Sequence, residues 1–211
     1  MPGLPVEMAQ LLPFVAAVIL MEITPGPNMG WLALVSLSQG RAAGLAAVAG
    51  ITLGLTLWMV AAAFGLTEVV LRWPALYQTI RWAGVAFLLY LAWDAWRSTS
   101  TEAGQTPVPA RQRQLFRRGL IGNLLNPKAA LLYVVLLPGF IRAEQGSLLA
   151  QALLLGAVHV VVSIIVHSAI VLTASGAGAS LVSRSQGPVV RALMALSLVA
   201  IAAWTAWETR L

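Results

Sequence analysis

The apolar positions of this chain run on rather than alternate. From Met8 to Ile23 nearly every residue is apolar; the run then meets Thr24-Pro25-Gly26-Pro27-Asn28 and resumes from Met29 to Leu37. A second run, from about Leu45 to Leu66, carries no charge, and a third follows Pro74 and closes on Ala92-Trp93-Asp94-Ala95-Trp96-Arg97. A fourth begins near Phe116 and is interrupted at Asn126-Pro127-Lys128, a fifth covers Leu148 to Leu172, and a sixth runs from Val189 to Trp207. Each approaches the roughly 20 residues a helix needs to cross a hydrocarbon layer. Only helices and closed barrels satisfy every backbone group in lipid, and continuous apolar sequence selects the helix. The pattern therefore predicts an all-α integral membrane protein with six transmembrane helices.

Two of those helices cannot be regular. Proline removes a backbone donor and clashes with the turn before it, so the first and fourth runs are expected to break or kink at Pro25, Pro27 and Pro127. The polar stretch from Ser98 to Gln114 reads as a linker, which divides the chain into a first three-span repeat (1–97), a cytoplasmic linker (98–115) and a second three-span repeat (116–211). The halves correspond: each opens on an interrupted helix, and each third helix follows a proline, Pro74 or Pro188. Those third helices also end alike, in Ala92-Trp93-Asp94-Ala95-Trp96 and Ala203-Trp204-Thr205-Ala206-Trp207. Three spans per half make the second half enter from the opposite side, so the repeat is inverted. Paired interruptions in corresponding helices of an inverted repeat point to a transporter's binding site.

Composition supports this picture. Hydrophobic residues make up 59% of the chain and charged residues 9%, against about 25% charged in an ordinary soluble domain. The net charge of +6 is carried almost wholly by arginine, with Lys128 the single lysine. Eight arginines (41, 97, 111, 113, 117, 118, 184, 191) fall on the side of the first, third and fifth loops, and four (72, 81, 142, 210) on the other. The positive-inside rule places the richer side in the cytoplasm and both termini outside, so the basic excess reads as topology and not as a nucleic-acid partner. The first apolar run has no basic residue before it and is expected to be retained as a helix. The chain has no cysteine, which excludes disulfides and thiol chemistry.

Ionisable groups inside apolar spans cost on the order of 2.5–3.5 kcal/mol each and usually face a cavity or a partner. Glu22 and Lys128 lie beside the two interruptions. Together with Thr24, Pro25, Gly26, Pro27, Asn28, Asn126 and Pro127 they form the candidate substrate site, in which opened backbone and half-helix ends can hold the two charges of a zwitterion. A purely structural Glu22–Lys128 pair is the competing reading. His159 and His167, eight residues apart on the fifth run, could relay protons or serve as interhelical donors. Gly50-x-x-x-Gly54 permits close helix contact, within the chain or across a homodimer. Asp94, beside Trp93 and Arg97, reads as an interfacial residue. The chain has no His-Glu-x-x-His zinc motif and no Gly-x-Ser-x-Gly elbow, so neither an enzyme nor a bound metal or cofactor is expected.

Thr24-Pro25-Gly26-Pro27-Asn28, Gly40-Arg41-Ala42-Ala43-Gly44-Leu45, and Asn123-Leu-Leu-Asn126-Pro127-Lys128-Ala129-Ala130 with Pro138-Gly139-Phe140-Ile141 together resemble the LysE/RhtB-type amino acid exporters over nearly the whole chain. The resemblance implies a multi-pass exporter of amino acids or their derivatives in a bacterial inner membrane, coupled to the proton gradient. It also assigns Pro25 to Asn28 and Asn126 to Lys128 to the transport core. Glu22 is not part of the family pattern, and its role rests on position alone. The rival functions are export of a cation or heavy metal, for which Glu22 and two histidines make a thin ligand set, and a non-transporting membrane scaffold, which would need no matched helix breaks.

Overall fold

The computed structural model describes residues 6–24, 26–65, 73–97, 108–181 and 188–208. Among them every regular element is helical. Helices α1 (Met8–Ile23) and α2 (Pro27–Gln39) form one bent pair, and α5 (Val108–Leu124) and α6 (Pro127–Leu131) begin a second. Between the pairs lie α3 (Arg41–Ala63) and α4 (Pro74–Arg97); α7 (Leu148–Leu181) and α8 (Pro188–Glu208) follow. The bends are 54° and 48°. By length and composition α3 and the stretch 148–177 of α7 can each cross a membrane, and the count rises to four if each bent pair is one span.

Local chemistry accounts for the boundaries. Pro27, Pro74, Pro127 and Pro188 each begin a helix, where the missing donor costs nothing and φ is already helical. Gly40 separates α2 from α3 at φ +82°, a left-handed conformation that favours glycine. After α6 the chain widens into a π-helical turn, Leu132–Leu136, and tightens into a 3₁₀ turn, Leu137–Phe140. Pro138 cannot donate to the carbonyl four residues back, so the regular ladder fails there. Two expected boundaries shift: α5 starts at Val108, inside the stretch read as linker, and α7 continues to Leu181, nine residues past Leu172.

Packing runs between the halves of the chain. Helix α3 lies along α5 and α7, α4 along α8, and α2 along α7. The α3–α5 contact is close because Gly50 lacks a side chain: a Cβ there would strike the Phe116 carbonyl, and one at Gly54 would meet Asn123. The small-residue pattern thus serves packing within the chain. Phe14, Leu32, Ile51, Leu132 and Leu155 are fully enclosed, whereas Leu20, Trp73, Ile165, Leu196 and Trp207 each expose more than half their surface. Large apolar side chains turned outward all around a bundle suit hydrocarbon rather than water. At one end Gln10 donates to the Phe140 carbonyl and Gln151 holds both backbone groups of Arg142, so α1, α7 and the turn after α6 are clasped together.

Candidate functional site

The two helix breaks meet at the Lys128–Thr24 contact. At the first, Thr24 leaves the helix in extended conformation with its hydroxyl turned back on the Leu20 carbonyl at 2.7 Å. Gly26 is extended, and α2 starts afresh at Pro27. Pro25, part of the expected site, lies outside the described residues. At the second, Asn126 caps α6: its side-chain oxygen accepts the Lys128 backbone N–H at 3.0 Å, while Pro127 occupies the first helical position. The cap turns the chain so that the Lys128 ammonium reaches the Thr24 carbonyl at 2.6 Å. The lysine stem passes Gly26 so closely that a Cβ there would lie 3.3 Å from Lys128 Cδ.

Glu22, the last ionisable residue before the first break, is buried and faces α7. One carboxylate oxygen lies 3.1 Å from His159 Nε2 and the other 3.8 Å from His167 Nε2. The far nitrogen of each ring is also engaged, His159 Nδ1 with the Tyr133 hydroxyl at 3.0 Å and His167 Nδ1 with the Ser163 hydroxyl at 2.8 Å. Five polar side chains from three segments therefore form one chain of contacts inside an apolar bundle, as buried polar groups must if they are not to remain unsatisfied.

Glu22, Gly26, Asn28, Asn126, Lys128, His159 and His167 line one cavity. Thr24 contributes its carbonyl rather than its side chain, and Pro27 and Pro127 lie on a second cavity. Asn28 and Asn126 border both. Three polar groups here were not singled out from the sequence. Ser163 could have been, since His159, Ser163 and His167 repeat every four residues and make one polar stripe on an apolar helix. Tyr133 and Asn123 could not, because their inward placement depends on the π-helical turn and on the fit of α5 against Gly54. Asp94 pairs with Arg118 at 2.7 Å, tying the end of α4 to α5.

The model of the LysE type translocator family matches residues 19–208. The chain is similar to the homoserine/homoserine lactone efflux protein of Salmonella typhimurium strain LT2, with 31% identity over 70% of this chain and 71% of that protein. It is similar to the uncharacterized membrane protein YrhP of Bacillus subtilis strain 168, with 28% identity over 75% of this chain and 80% of that one. It also resembles the leucine efflux protein of Salmonella choleraesuis strain SC-B67, at 32% identity over 61% of each. No solved structure gives a significant match.

Proposed function

Since the chain belongs to the LysE type translocator family, we propose that it exports amino acids or amino acid derivatives from the cytoplasm across a bacterial inner membrane, by proton antiport. The observation that carries this reading is the meeting of the two breaks, where the Lys128 ammonium rests on the Thr24 carbonyl beside a cavity that also holds Glu22. A zwitterion needs a cationic and an anionic partner a few ångströms apart and shielded from water. In this reading the substrate carboxylate takes Lys128 from the Thr24 carbonyl, assisted by the backbone N–H groups at the start of α2. Its amino group meets Glu22 and the opened carbonyls. Asn28 and Asn126 supply neutral hydrogen bonds on the shared wall.

Proton coupling falls to Glu22 with His159 and His167. A carboxylate between two imidazoles can accept a proton when the substrate's ammonium leaves, and Tyr133 and Ser163 hold the rings in place. The architecture proposed is six transmembrane helices in two inverted three-helix repeats, 1–97 and 116–211, joined by a cytoplasmic linker at 98–115, with both termini periplasmic. The pairings of α3 with α7 and α4 with α8 support it, because a two-fold axis in the membrane plane would map each pair onto itself. Relatives named for efflux of homoserine, homoserine lactone and leucine support the substrate class.

The test is counterflow of radiolabelled amino acids in proteoliposomes, followed by efflux driven by an imposed pH difference. Saturable exchange of at least one amino acid, accelerated by the proton gradient, is expected. Transport of a divalent metal with no exchange of any amino acid would replace this reading with the cation one.

A further inference from the structure

The second cavity differs in character from the first. Trp31, Phe87, Leu88, Leu91 and Leu125 dominate its lining, and its one charged residue, Arg118, is paired with Asp94 at 2.7 Å. Asn28 and Asn126 border both cavities. A molecule whose charged ends sit between Glu22 and Lys128 therefore has the apolar cavity within reach across a wall of two amides. This step rests on the export reading above. We infer that the second cavity receives the substrate's side chain, and that Gly122 sets the size of the uncharged side chain it accepts.

The glycines near this cavity are not equivalent. A Cβ at Gly84 would collide with the Leu125 carbonyl, so that glycine is there to let two backbones approach. A Cβ at Gly122 would meet Phe87 Cε1 at 3.4 Å and Asn28 Oδ1 at 3.9 Å, both ordinary contacts. A methyl group is thus accommodated at Gly122, on the cavity wall, without pressing on a neighbouring backbone. A methyl group there would subtract volume from the substrate's space, between the aromatic wall and the shared asparagine, while leaving the helix packing intact. The apolar lining also argues against a basic or acidic side chain, which would be stripped of water with no counter-charge but one already engaged. The substrate class is an α-amino acid with an uncharged side chain.

Wild type, Gly122→Ala and Phe87→Ala are compared by counterflow in proteoliposomes, with alanine, leucine, phenylalanine, lysine and aspartate as probes. Wild type is expected to favour leucine over lysine and aspartate. Gly122→Ala is expected to lower the leucine-to-alanine ratio by at least about tenfold, the usual effect of one methyl group in a filled pocket. Phe87→Ala, which widens the opposite wall, should raise the phenylalanine-to-leucine ratio, and it decides the matter alone if Gly122→Ala fails to insert. Unchanged ratios in the variants, or a wild type that prefers lysine or aspartate, would overturn the assignment of this cavity while leaving amino acid export standing. A wild type that exchanges no amino acid would remove both.

Discussion

Lys128 donates its ammonium to the Thr24 carbonyl at 2.6 Å across 104 residues of sequence, so the break in one bent helix pair is tied to the break in the other. A carbonyl freed by proline chemistry thereby gains a partner, and a half-buried ammonium gains an acceptor. Such a contact can be exchanged for a better one. A carboxylate arriving in the cavity offers Lys128 a full negative charge in place of a dipole, which makes the contact a natural point for substrate to separate the two breaks.

The first prediction follows from that contact. Lys128→Met keeps most of the stem and removes the charge. The variant is expected to insert at near wild-type abundance and to lose most efflux, by about 10- to 100-fold, as expected for one lost charge-assisted hydrogen bond of about 1.5–3 kcal/mol. Lys128→Arg should be impaired as well, because the stem already lies against Gly26 and a planar fork has no room to turn there. Since the polar contacts of Glu22 run to His159 and His167, adding Glu22→Gln should not rescue Lys128→Met. Restored efflux in the double variant, measured by counterflow, would make the lysine a structural counter-ion instead.

How much of this was legible in the sequence depends on how local the cause is. Both breaks could be read because proline and glycine act on their own backbone, and Glu22 and Lys128 stood out because charge inside an apolar run is expensive. Their partners could not be read, because which side chain faces which depends on helix rotation and register. Glu22 and Lys128, candidates for one pair, line one cavity, where Glu22 lies against the two histidines and Lys128 reaches the Thr24 carbonyl. Thr24 was singled out as part of an opened backbone segment, and it is its carbonyl that receives Lys128. Asp94 looked interfacial from its tryptophan neighbours, and only the approach of α5 shows it paired with Arg118.

A second prediction concerns coupling. If Glu22 between His159 and His167 carries the proton, Glu22→Gln retains hydrogen-bonding capacity toward both rings and removes the titration. The ratio of efflux driven by an imposed pH difference to exchange at equal pH should then fall toward one. His159→Asn should lower the same ratio, since it removes the 3.1 Å partner of the carboxylate. A ratio equal to wild type in both variants would separate this cluster from proton movement and leave it a structural network.

Topology gives a third. By the positive-inside rule, the eight-to-four division of arginines predicts a cytoplasmic 98–115 linker and both termini outside. A reporter active only in the periplasm should be active when fused after Leu211 and silent when inserted between Ser98 and Gln114. The reverse pattern would invert the orientation and leave the transporter reading standing.

The last prediction uses the absence of cysteine. Asn28 is buried, yet it borders both cavities at the start of α2, so it stands where a path through the bundle would have to pass. Irregular backbone is tolerated at membrane depth only where it is enclosed by protein or lines a water-filled space. The Asn28→Cys variant should therefore react with a small water-soluble thiol reagent. The Val18→Cys variant, altered at a fully enclosed position in the same bent pair, should not react. Saturating substrate should slow the reaction of the Asn28→Cys thiol several-fold if the substrate occupies the wall between the cavities. Reaction from only one side of the membrane would identify the face to which the resting protein opens, and reaction from both, in alternation with an imposed gradient, would match alternating access. Complete protection of that thiol from both sides, with and without substrate, would mean that the two cavities are packing defects and that the path lies elsewhere.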